Sequence, residues 1–348
     1  MRGNSHARFL EGLGGRKVPR PTRRREGPKP EGAARKPQNK ARGGHPLLIE
    51  RPTVFILGAG ASCPYGFPSG RKLIFKIVEG VRHRLVGQRT RGETMWMGFD
   101  IDDVSRCAEE LLASAMPSVD LFLENRPEFE AIGKALIAAE LIPCENPSRL
   151  RRNWERTEWL EYLYGKMVST ATAFPQNQIT FISFNYDRLI EHFFFTSLKS
   201  SFCLSDEDTH SLLGHIPIVH VHGQLGVLGS GADSRPFDTQ VTEATLKTAA
   251  AGIKVIHEVG DTPTAEYTRA HQLLGQAEIV CFLGFGYQED NVRRLRAGTI
   301  RSYQVFAGTG FGLEAAERTQ SAQLVGGNIA IDDPSRDCVL FLRIQDIF

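Results

Sequence analysis

Short apolar runs separated by longer amphipathic stretches make up most of the chain, and this alternation predicts an α/β fold. The apolar runs are rich in β-branched and aromatic residues, which is typical of strands that are buried on both faces of a parallel sheet. The predicted strands are Thr53–Leu57, Gln178–Ser183, Ile216–Val221, Glu278–Leu283 and Ser302–Phe306, with Cys338–Leu342 as a sixth strand that closes the sheet.

Helical periodicity predicts amphipathic helices between these strands. Two of them, at Val104–Ala113 and Phe129–Ala138, lie between the first and second strands, in a stretch too long for a single crossover connection. We therefore predict a helical subdomain inserted into the sheet at about residues 80–173, with an exposed loop at Gly87–Gly98. The other predicted helices are Ser69–Val78, Trp154–Val168, Arg188–Phe195, Glu289–Leu295 and Glu314–Glu317.

Glycine and polar residues follow the predicted strands at the points where the strands end. Gly58–Gly60 follows the first strand, Asn185–Asp187 the second, His222–Gly223 the third and Gly284–Gly286 the fourth. Parallel strands place their carboxyl ends on one edge of the sheet, where ligands bind in doubly wound folds. We therefore expect a Rossmann-type parallel sheet with a ligand site on that edge.

The glycine turn at Gly58–Gly60 lies between a strand and a helix, an arrangement that receives phosphate groups at the helix N-terminus. Glycine has no Cβ, so the backbone can approach a ligand closely. The motif is not a complete GxGxxG, and an ordinary turn in an α/β protein is the alternative interpretation. The loop Cys63–Gly70, with two prolines and two glycines, is either a lid over the ligand or a plain connector.

Composition limits the class of protein. The chain has 348 residues and 41% hydrophobic content, which is enough for a substantial core in one or two domains. No apolar run approaches the roughly 20 residues that a membrane helix requires, and the basic N-terminus lacks the apolar segment of a secretory signal. The six cysteines include no CxxC pair, which argues against a structural zinc site and for reduced thiols in the cytoplasm.

The first part of the chain differs in charge from the rest. Residues 1–50 contain 13 Lys and Arg against 4 Asp and Glu, a net charge of +9; the whole chain carries +2, so the remainder carries −7. Because residues 1–46 are rich in Gly, Pro and Arg, we predict a basic disordered tail that precedes a folded domain at 47–348. The tail either touches nucleic acid or acidic partners, is solvated without a function, or reflects a misassigned start site.

Several motifs, taken in order, resemble the sirtuin family. Gly58–Ser62 followed by Gly66–Pro68 is similar to the GAGxS loop and G-I-P that hold NAD in sirtuins. Asn185–Asp187 and His222–Gly223 are similar to the N-x-D and H-G motifs that supply the sirtuin site. The resemblance, which covers about residues 50–320, is nearer to the sirtuin-like branch of bacterial antiphage-defence proteins, which also share motifs similar to Ser118–Glu124, Phe184–Asp187, Leu283–Gly286 and Asp290–Asn291.

The resemblance implies a site for NAD as the substrate, with no metal. The implied catalytic residues are Asn185 and His222. The implied binding residues are Gly58, Ala59, Gly60, Ser62, Phe67, Pro68, Asp120, Asp187, Gly223, Gly284, Gly286 and Asn291.

Two departures from classical sirtuins argue against protein deacylation. Deacylases have two cysteine pairs that bind zinc, which this chain lacks, and a Phe-Arg pair after G-I-P, where this chain has Ser69-Gly70. The defence branch also lacks zinc. Resemblance to it implies hydrolysis of NAD to nicotinamide and ADP-ribose.

The chemistry of that reaction suits the residues at the strand ends. Cleavage at the ribose passes through an oxocarbenium-like state, and the cationic leaving group needs no general acid. The Asn185 amide can donate to and accept from ribose hydroxyls or water, and His222 suits a general base. The resemblance implies that Asp187 accepts from the nicotinamide carboxamide. Ser62 is expected to contact phosphate or ribose, and Asn291 the adenosine half.

Each of these assignments has a structural alternative. Asn185–Asp187, Asp120 and Asn291 are residue types that commonly cap helices. His220 and His222 share one face of their strand and are alternatively two metal ligands, with no third ligand evident near them. We favour His222 for the site because it precedes the glycine at the strand end, and we expect His220 to pack behind it.

The predicted activity leads to a predicted biological role, a cytoplasmic effector of bacterial antiphage defence that depletes NAD. Because constant activity would kill the host, we expect a trigger. The chain ends soon after the sheet, so we expect this trigger to be homo-oligomeric assembly or a separate sensor or translocase partner. The alternative function is a non-catalytic sensor or scaffold that binds NAD or ADP-ribose, and protein deacylation is a third interpretation.

Overall fold

A computed structural model of the chain describes residues 48–150, 156–229, 234–255, 264–295, 301–326, 329–345 and 347. The predicted tail at 1–46 lies outside these residues. None of the helices within the described part of the chain has the length and apolar character needed to cross a bilayer.

The centre of the fold is a six-stranded parallel sheet flanked by helices. Across the sheet the strands, numbered in chain order, follow the sequence 3-2-1-4-5-6, which is the order of doubly wound, Rossmann-like folds. The strands are β1 (Thr53–Leu57), β2 (Ile179–Ser183), β3 (Ile218–His220), β4 (Ile279–Leu283), β5 (Val305–Gly308) and β6 (Ile329–Ile331).

The apolar pattern of β1 explains why this strand lies at the centre. All five residues of β1 are buried. Phe55 and Leu57 belong to one apolar cluster, and Val54 and Ile56 belong to another, because successive side chains of a strand point to opposite faces. Leu57 is in register with Leu283 of β4 and with the last residue of β2, so these three strands end at one level.

Helices cover the sheet, and several begin at residues with good capping chemistry. The Asp100 carboxylate accepts hydrogen bonds from the backbone of Asp102 and Asp103, and the Ser118 hydroxyl accepts one from the backbone of Leu121. The helices are Ala59–Ser62, Gly70–Thr90, Ile101–Ala113, Val119–Asn125, Glu130–Leu141, Pro147–Leu150, Trp159–Met167, Leu189–Phe202, Asp206–Leu213, Glu243–Gly252, Ala265–Gln276, Glu289–Arg294, Ala315–Val325 and Cys338–Ile344.

The segment between β1 and β2 is mostly helical, as its periodicity predicts. Its buried residues, such as Leu136 and Leu163, share one apolar cluster with Phe55 and Phe181 of the sheet. The insert therefore packs directly on one face of the sheet. Short 3-10 helices occur at Cys63–Tyr65, Pro127–Phe129, Ile142–Cys144 and Phe174–Gln176.

The structure corrects the prediction for the last apolar run. Cys338–Ile344 is a helix, not a strand. Its N-cap Asp337 accepts a hydrogen bond from the Leu340 backbone. The helix buries Cys338, Phe341 and Leu342, while Leu340 is 42% exposed, a helical spacing. The sixth strand is instead Ile329–Ile331.

Two other predictions need smaller corrections. Half of the predicted loop Gly87–Gly98 is regular secondary structure, because the preceding helix continues to Thr90 and Met95–Trp96 pairs with Phe99–Asp100 in an antiparallel ribbon. Burial of the Trp96 ring explains the order. The fifth strand occupies Val305–Gly308 and therefore starts three residues after the predicted Ser302. A second two-stranded ribbon pairs Val227–Leu228 with Ser234–Arg235 in parallel.

Candidate functional site

A cavity of about 700 Å³ opens at the carboxyl ends of β1, β2 and β4. This is where the strand order reverses, the position at which doubly wound folds bind ligands. Nine residues that the sequence nominates lie in the wall of this one cavity: Gly58, Ala59, Gly60, Asp120, Asn185, His222, Gly284, Gly286 and Asn291.

The N-termini of five helices meet at this cavity. The N-cap residues of these helices all lie in its wall; they are Gly58, Ser69, Ser118, Gln288 and Asp337. The first amides of a helix have no acceptor within the helix, and the helix dipole places partial positive charge there. Lys72 adds a cation to the same wall, and Asp120 and Asp337 add two carboxylates. The helix ends and Lys72, and not the net charge of the wall, are therefore what suits the cavity to an anionic group.

The glycines bring two loops together. The Gly60 amide donates to the Gly284 carbonyl at 2.9 Å. A Cβ on Gly58 would lie 2.5 Å from that carbonyl oxygen, and a Cβ on Gly284 would overlap the backbone nitrogen of Ala61. These glycines are therefore required where the loops after β1 and β4 touch. Gly286 has open space around it and contributes backbone that faces the cavity.

Asn185 is held by both hydrogens of its side-chain amide. Nδ2 donates to the Gly58 carbonyl and to the Ser62 hydroxyl, each at 3.0 Å. A carbonyl can only accept, so the contact with Gly58 distinguishes Nδ2 of the amide from Oδ1. Asn185 lines the cavity, and the group that remains available to a ligand is Oδ1, an acceptor.

His222 lies in the wall of the same cavity and is 4% exposed. Its Nε2 is 3.1 Å from the Tyr267 hydroxyl. Burial lowers the pKa of His222, and Arg294 lowers it further, although the charge of Asp120 opposes this. His222 is therefore neutral at pH 7, with a lone pair on one ring nitrogen. Tyr267 can donate or accept, so it permits the tautomer that leaves Nδ1 free to take a proton.

Aromatic rings form the wall beside His222. Phe184 contacts the edge of the imidazole at a centroid distance of 5.2 Å and contacts Phe285 at 5.0 Å. Both phenylalanines line the cavity. They give this end of the cavity an apolar surface that suits a flat aromatic ring.

Asp120 and Asn291 stand in the cavity wall with different surroundings. The Asp120 carboxylate accepts a hydrogen bond from the Tyr186 hydroxyl. Asn291 Nδ2 approaches Gln288 Oε1 at 3.4 Å, whereas Asn291 Oδ1 is buried and has no hydrogen-bond partner in the described part of the chain. Buried polar atoms normally have partners, so this oxygen is an acceptor available to a ligand donor.

Asp187 and Ser62 lie behind the cavity wall. The Asp187 carboxylate accepts from the Leu189 amide at 3.2 Å, at the start of a helix, and it also bonds the Ser62 hydroxyl. Burial raises the pKa of Asp187 to about 6. The structure therefore places Asp187 in a capping position that supports Asn185 through Ser62, away from the carboxamide role expected for it.

Three other nominated residues are also not part of the main cavity wall. Phe67 is buried in the apolar core, and Pro68 is buried beside it. Gly223 has φ +71 and packs against the Gly252 carbonyl, where a Cβ would overlap. Gly223 instead lines a second cavity of about 890 Å³ next to β3.

Several cavity residues escaped the sequence analysis. Lys72 was detectable in principle, because it lies in the first turn of a helix whose N-terminus was expected at the site. Tyr267, the partner of His222, carries no local signal. The wall also includes Cys63, Pro64, Ser69, Gly70, Ser118, Phe184, Phe285, Gln288, Thr309, Phe311, Leu313, Asp337 and Cys338.

The loop Cys63–Gly70 contributes four residues to the cavity wall, which places it beside the glycine turn as expected. All six cysteines are free thiols. Among the described residues, no group of three or more His, Cys, Asp or Glu side chains is arranged to hold a metal ion.

Comparison with known proteins adds no assignment to this geometry. The chain matches no protein-family model, and no curated protein is significantly similar to it.

Proposed function

We propose that the chain is a sirtuin-like NAD glycohydrolase that cleaves NAD to nicotinamide and ADP-ribose. One observation carries the proposal: the nominated residues from four different strand ends line a single cavity, and five helix N-termini meet there. The helix ends suit the pyrophosphate of a dinucleotide. The aromatic wall of Phe184 and Phe285 suits the nicotinamide ring.

In the proposed mechanism, Asn185 stabilises the positive charge that develops on the ribose. Its amide is held by Gly58 and Ser62, so Oδ1 is oriented before the substrate arrives. This oxygen accepts from a ribose hydroxyl or from the attacking water and directs a negative dipole at the oxocarbenium-like centre.

His222 acts as the general base in this proposal. It is neutral at pH 7 because burial lowers its pKa, so it can take a proton from water or a ribose hydroxyl through Nδ1. Tyr267 accepts from Nε2–H and fixes the ring. Asn291 Oδ1, the unpartnered acceptor, receives a hydroxyl of the second ribose.

The test is nicotinamide release from NAD by the purified chain. We expect Asn185→Ala and His222→Ala each to lower kcat about a hundredfold or more, the range of a lost oxyanion-type contact or general base. His83→Ala is the matched control, because the His83 side chain is 85% exposed on a helix surface and should leave kcat unchanged. Full activity in either site variant would contradict the mechanism.

The pH dependence gives a second readout. Because the pKa of His222 is lowered, the acid limb of the activity profile should lie below 6.5, and activity should be retained at pH 7 and above. Calorimetric binding of NAD without nicotinamide release, tested also in phage-infected lysate, would favour the alternative sensor or scaffold function.

We further propose that the enzyme is an effector of antiphage defence that is activated by self-assembly or by a separately encoded partner. Cells that carry the chain should lose NAD after phage challenge, and cells that carry His222→Ala should keep it. Equal protection by both proteins would rule out a role for NAD depletion.

A further inference from the structure

A buried pair, His220 and Glu191, lies directly behind Asn185. His220 Nδ1 is 2.8 Å from the backbone carbonyl oxygen of Asn185, and Nε2 is 2.7 Å from Glu191 Oε1. The side chain of His220 is 7% exposed and that of Glu191 is 17% exposed. We propose that His220 and Glu191 are positioning residues. As an ion pair bound to the backbone carbonyl of Asn185, they hold this residue in its productive orientation.

The two contacts fix the number of protons on the ring. A carbonyl oxygen and a carboxylate oxygen are both acceptors, so both ring nitrogens of His220 must donate. His220 is therefore an imidazolium, and its bond to Asn185 is a charge-assisted bond, which is stronger than a neutral one. Burial alone would lower the pKa of His220, but the charge and hydrogen bond of Glu191 outweigh it and raise the pKa. The pKa of Glu191 is correspondingly lowered.

The backbone contact determines where the Asn185 side chain points. The Asn185 amide nitrogen donates to Ser183 Oγ at 3.1 Å, and its carbonyl accepts from His220. These two bonds fix the peptide groups on both sides of the Cα atom. The side chain then reaches Gly58 and Ser62, so loss of the His220 bond would release the residue that orients Oδ1.

The pair is reachable from outside the main cavity. His220 and Glu191 both line the second cavity of about 890 Å³, whose wall shares no residue with the wall of the proposed substrate cavity. The other charged groups that face the pair are Asp187 and Arg188 from the β2 end and Lys247, Lys254, Glu266 and Arg269 from the cavity wall. A small carboxylate can therefore enter and replace a missing Glu191 side chain without competing with NAD.

Chemical rescue tests the proposal, which for turnover rests on the proposed function. Glu191→Ala should lower kcat for nicotinamide release by roughly ten- to a hundredfold, the loss expected for one hydrogen bond to a charged group, with KM for NAD changed less than about twofold. Sodium formate should restore kcat, and sodium chloride at equal ionic strength should not. Glu266→Ala is the matched control: Glu266 lines the same cavity but pairs with Lys254, so formate should have no effect.

A second readout does not depend on activity. In protein labelled with ¹⁵N-histidine and ¹⁵N-asparagine, both ring nitrogens of His220 should be protonated at pH 7.5, with the His220 and Asn185 signals assigned by their loss in His220→Asn and Asn185→Ala. In Glu191→Ala, His220 should lose one proton at that pH, and the side-chain amide signals of Asn185 should shift. Formate should reverse both changes.

The two readouts separate failure of this inference from failure of the proposed function. Rescue of the NMR signals without nicotinamide release from the wild type, either purified or in phage-infected lysate, would support the positioning pair and refute the hydrolase. A neutral His220 in the wild type, a doubly protonated His220 in folded Glu191→Ala, or Asn185 signals that do not respond would overturn the positioning role.

Discussion

Replacement of Glu145 by glutamine tests how strongly a buried charge cluster stabilises the fold. Glu145 is 1% exposed and binds two guanidinium groups. Its Oε1 lies 2.9 Å from Arg188 Nε, and its Oε2 lies 2.6 Å from Arg188 Nη2 and also pairs with Arg235 Nη2. Arg188 and Arg235 are equally buried. The single negative charge of Glu145 therefore compensates for the positive charges of two buried guanidinium groups.

The expected cost follows from what the substitution leaves behind. Glu145→Gln keeps the shape of the side chain but removes the counter-ion, and breaking a buried pair costs about 3–5 kcal/mol. Arg188 still donates to the carbonyls of Val227 and Pro236, and these hydrogen bonds offset part of the cost of burying its charge. We therefore expect the free energy of unfolding to fall by about 3 kcal/mol.

Urea denaturation followed by circular dichroism measures this loss. Asp206→Asn is the control, since it breaks an ion pair with Lys199 in which both side chains are about half exposed or more; exposed pairs contribute about 1 kcal/mol or less. If the free energy of unfolding of Glu145→Gln lies within about 1 kcal/mol of the wild-type value, the cluster does not stabilise the fold by the amount typical of buried ion pairs.

Three further predictions test other contacts. Burial raises the pKa of Asp187 from 3.8 to about 6, so its stabilising contribution is complete below about pH 3.8 and is lost as the pH rises through about 6. In urea titrations, the free energy of unfolding of Asp187→Asn should therefore rise by about 2 kcal/mol relative to the wild type between pH 4 and pH 8; an unchanged difference would contradict the shift. Gly284→Ala should lose about 2 kcal/mol or more of stability, because its Cβ overlaps the Ala61 backbone at positive φ, whereas Gly286→Ala should stay within about 0.5 kcal/mol of the wild type. Trp159→Phe removes the donor that lies 2.7 Å from the Ala61 carbonyl and should cost about 1–3 kcal/mol, measured by the same denaturation.

The central sheet could be predicted from sequence because its signals are local. β1 is found at the predicted residues, Thr53–Leu57, since a buried parallel strand is a short apolar run with turn residues after it. The run at Cys338 was misassigned as a strand for the same reason: periodicity cannot separate a short buried strand from a short helix. The Asp337 cap was the local signal that favoured the helix.

Only the part of the site that is formed by residues at the strand ends could be predicted from sequence. Asn185 and His222 follow parallel strands, so topology alone brings them to one cavity. The partner of His222, Tyr267, comes from a helix 45 residues away in sequence, and no spacing rule links the two. Asp187 lies behind the cavity wall and caps a helix, since a carboxylate after a strand serves as a cap as readily as a ligand.

The wall of the cavity draws on residues from Gly58 to Cys338, and this has a consequence for synthesis. The helix Cys338–Ile344 begins in the cavity wall, so a nascent chain on the ribosome has no complete site until this helix has emerged. If the proposed NAD cleavage is right, a chain could not carry it out during translation before this helix has been made.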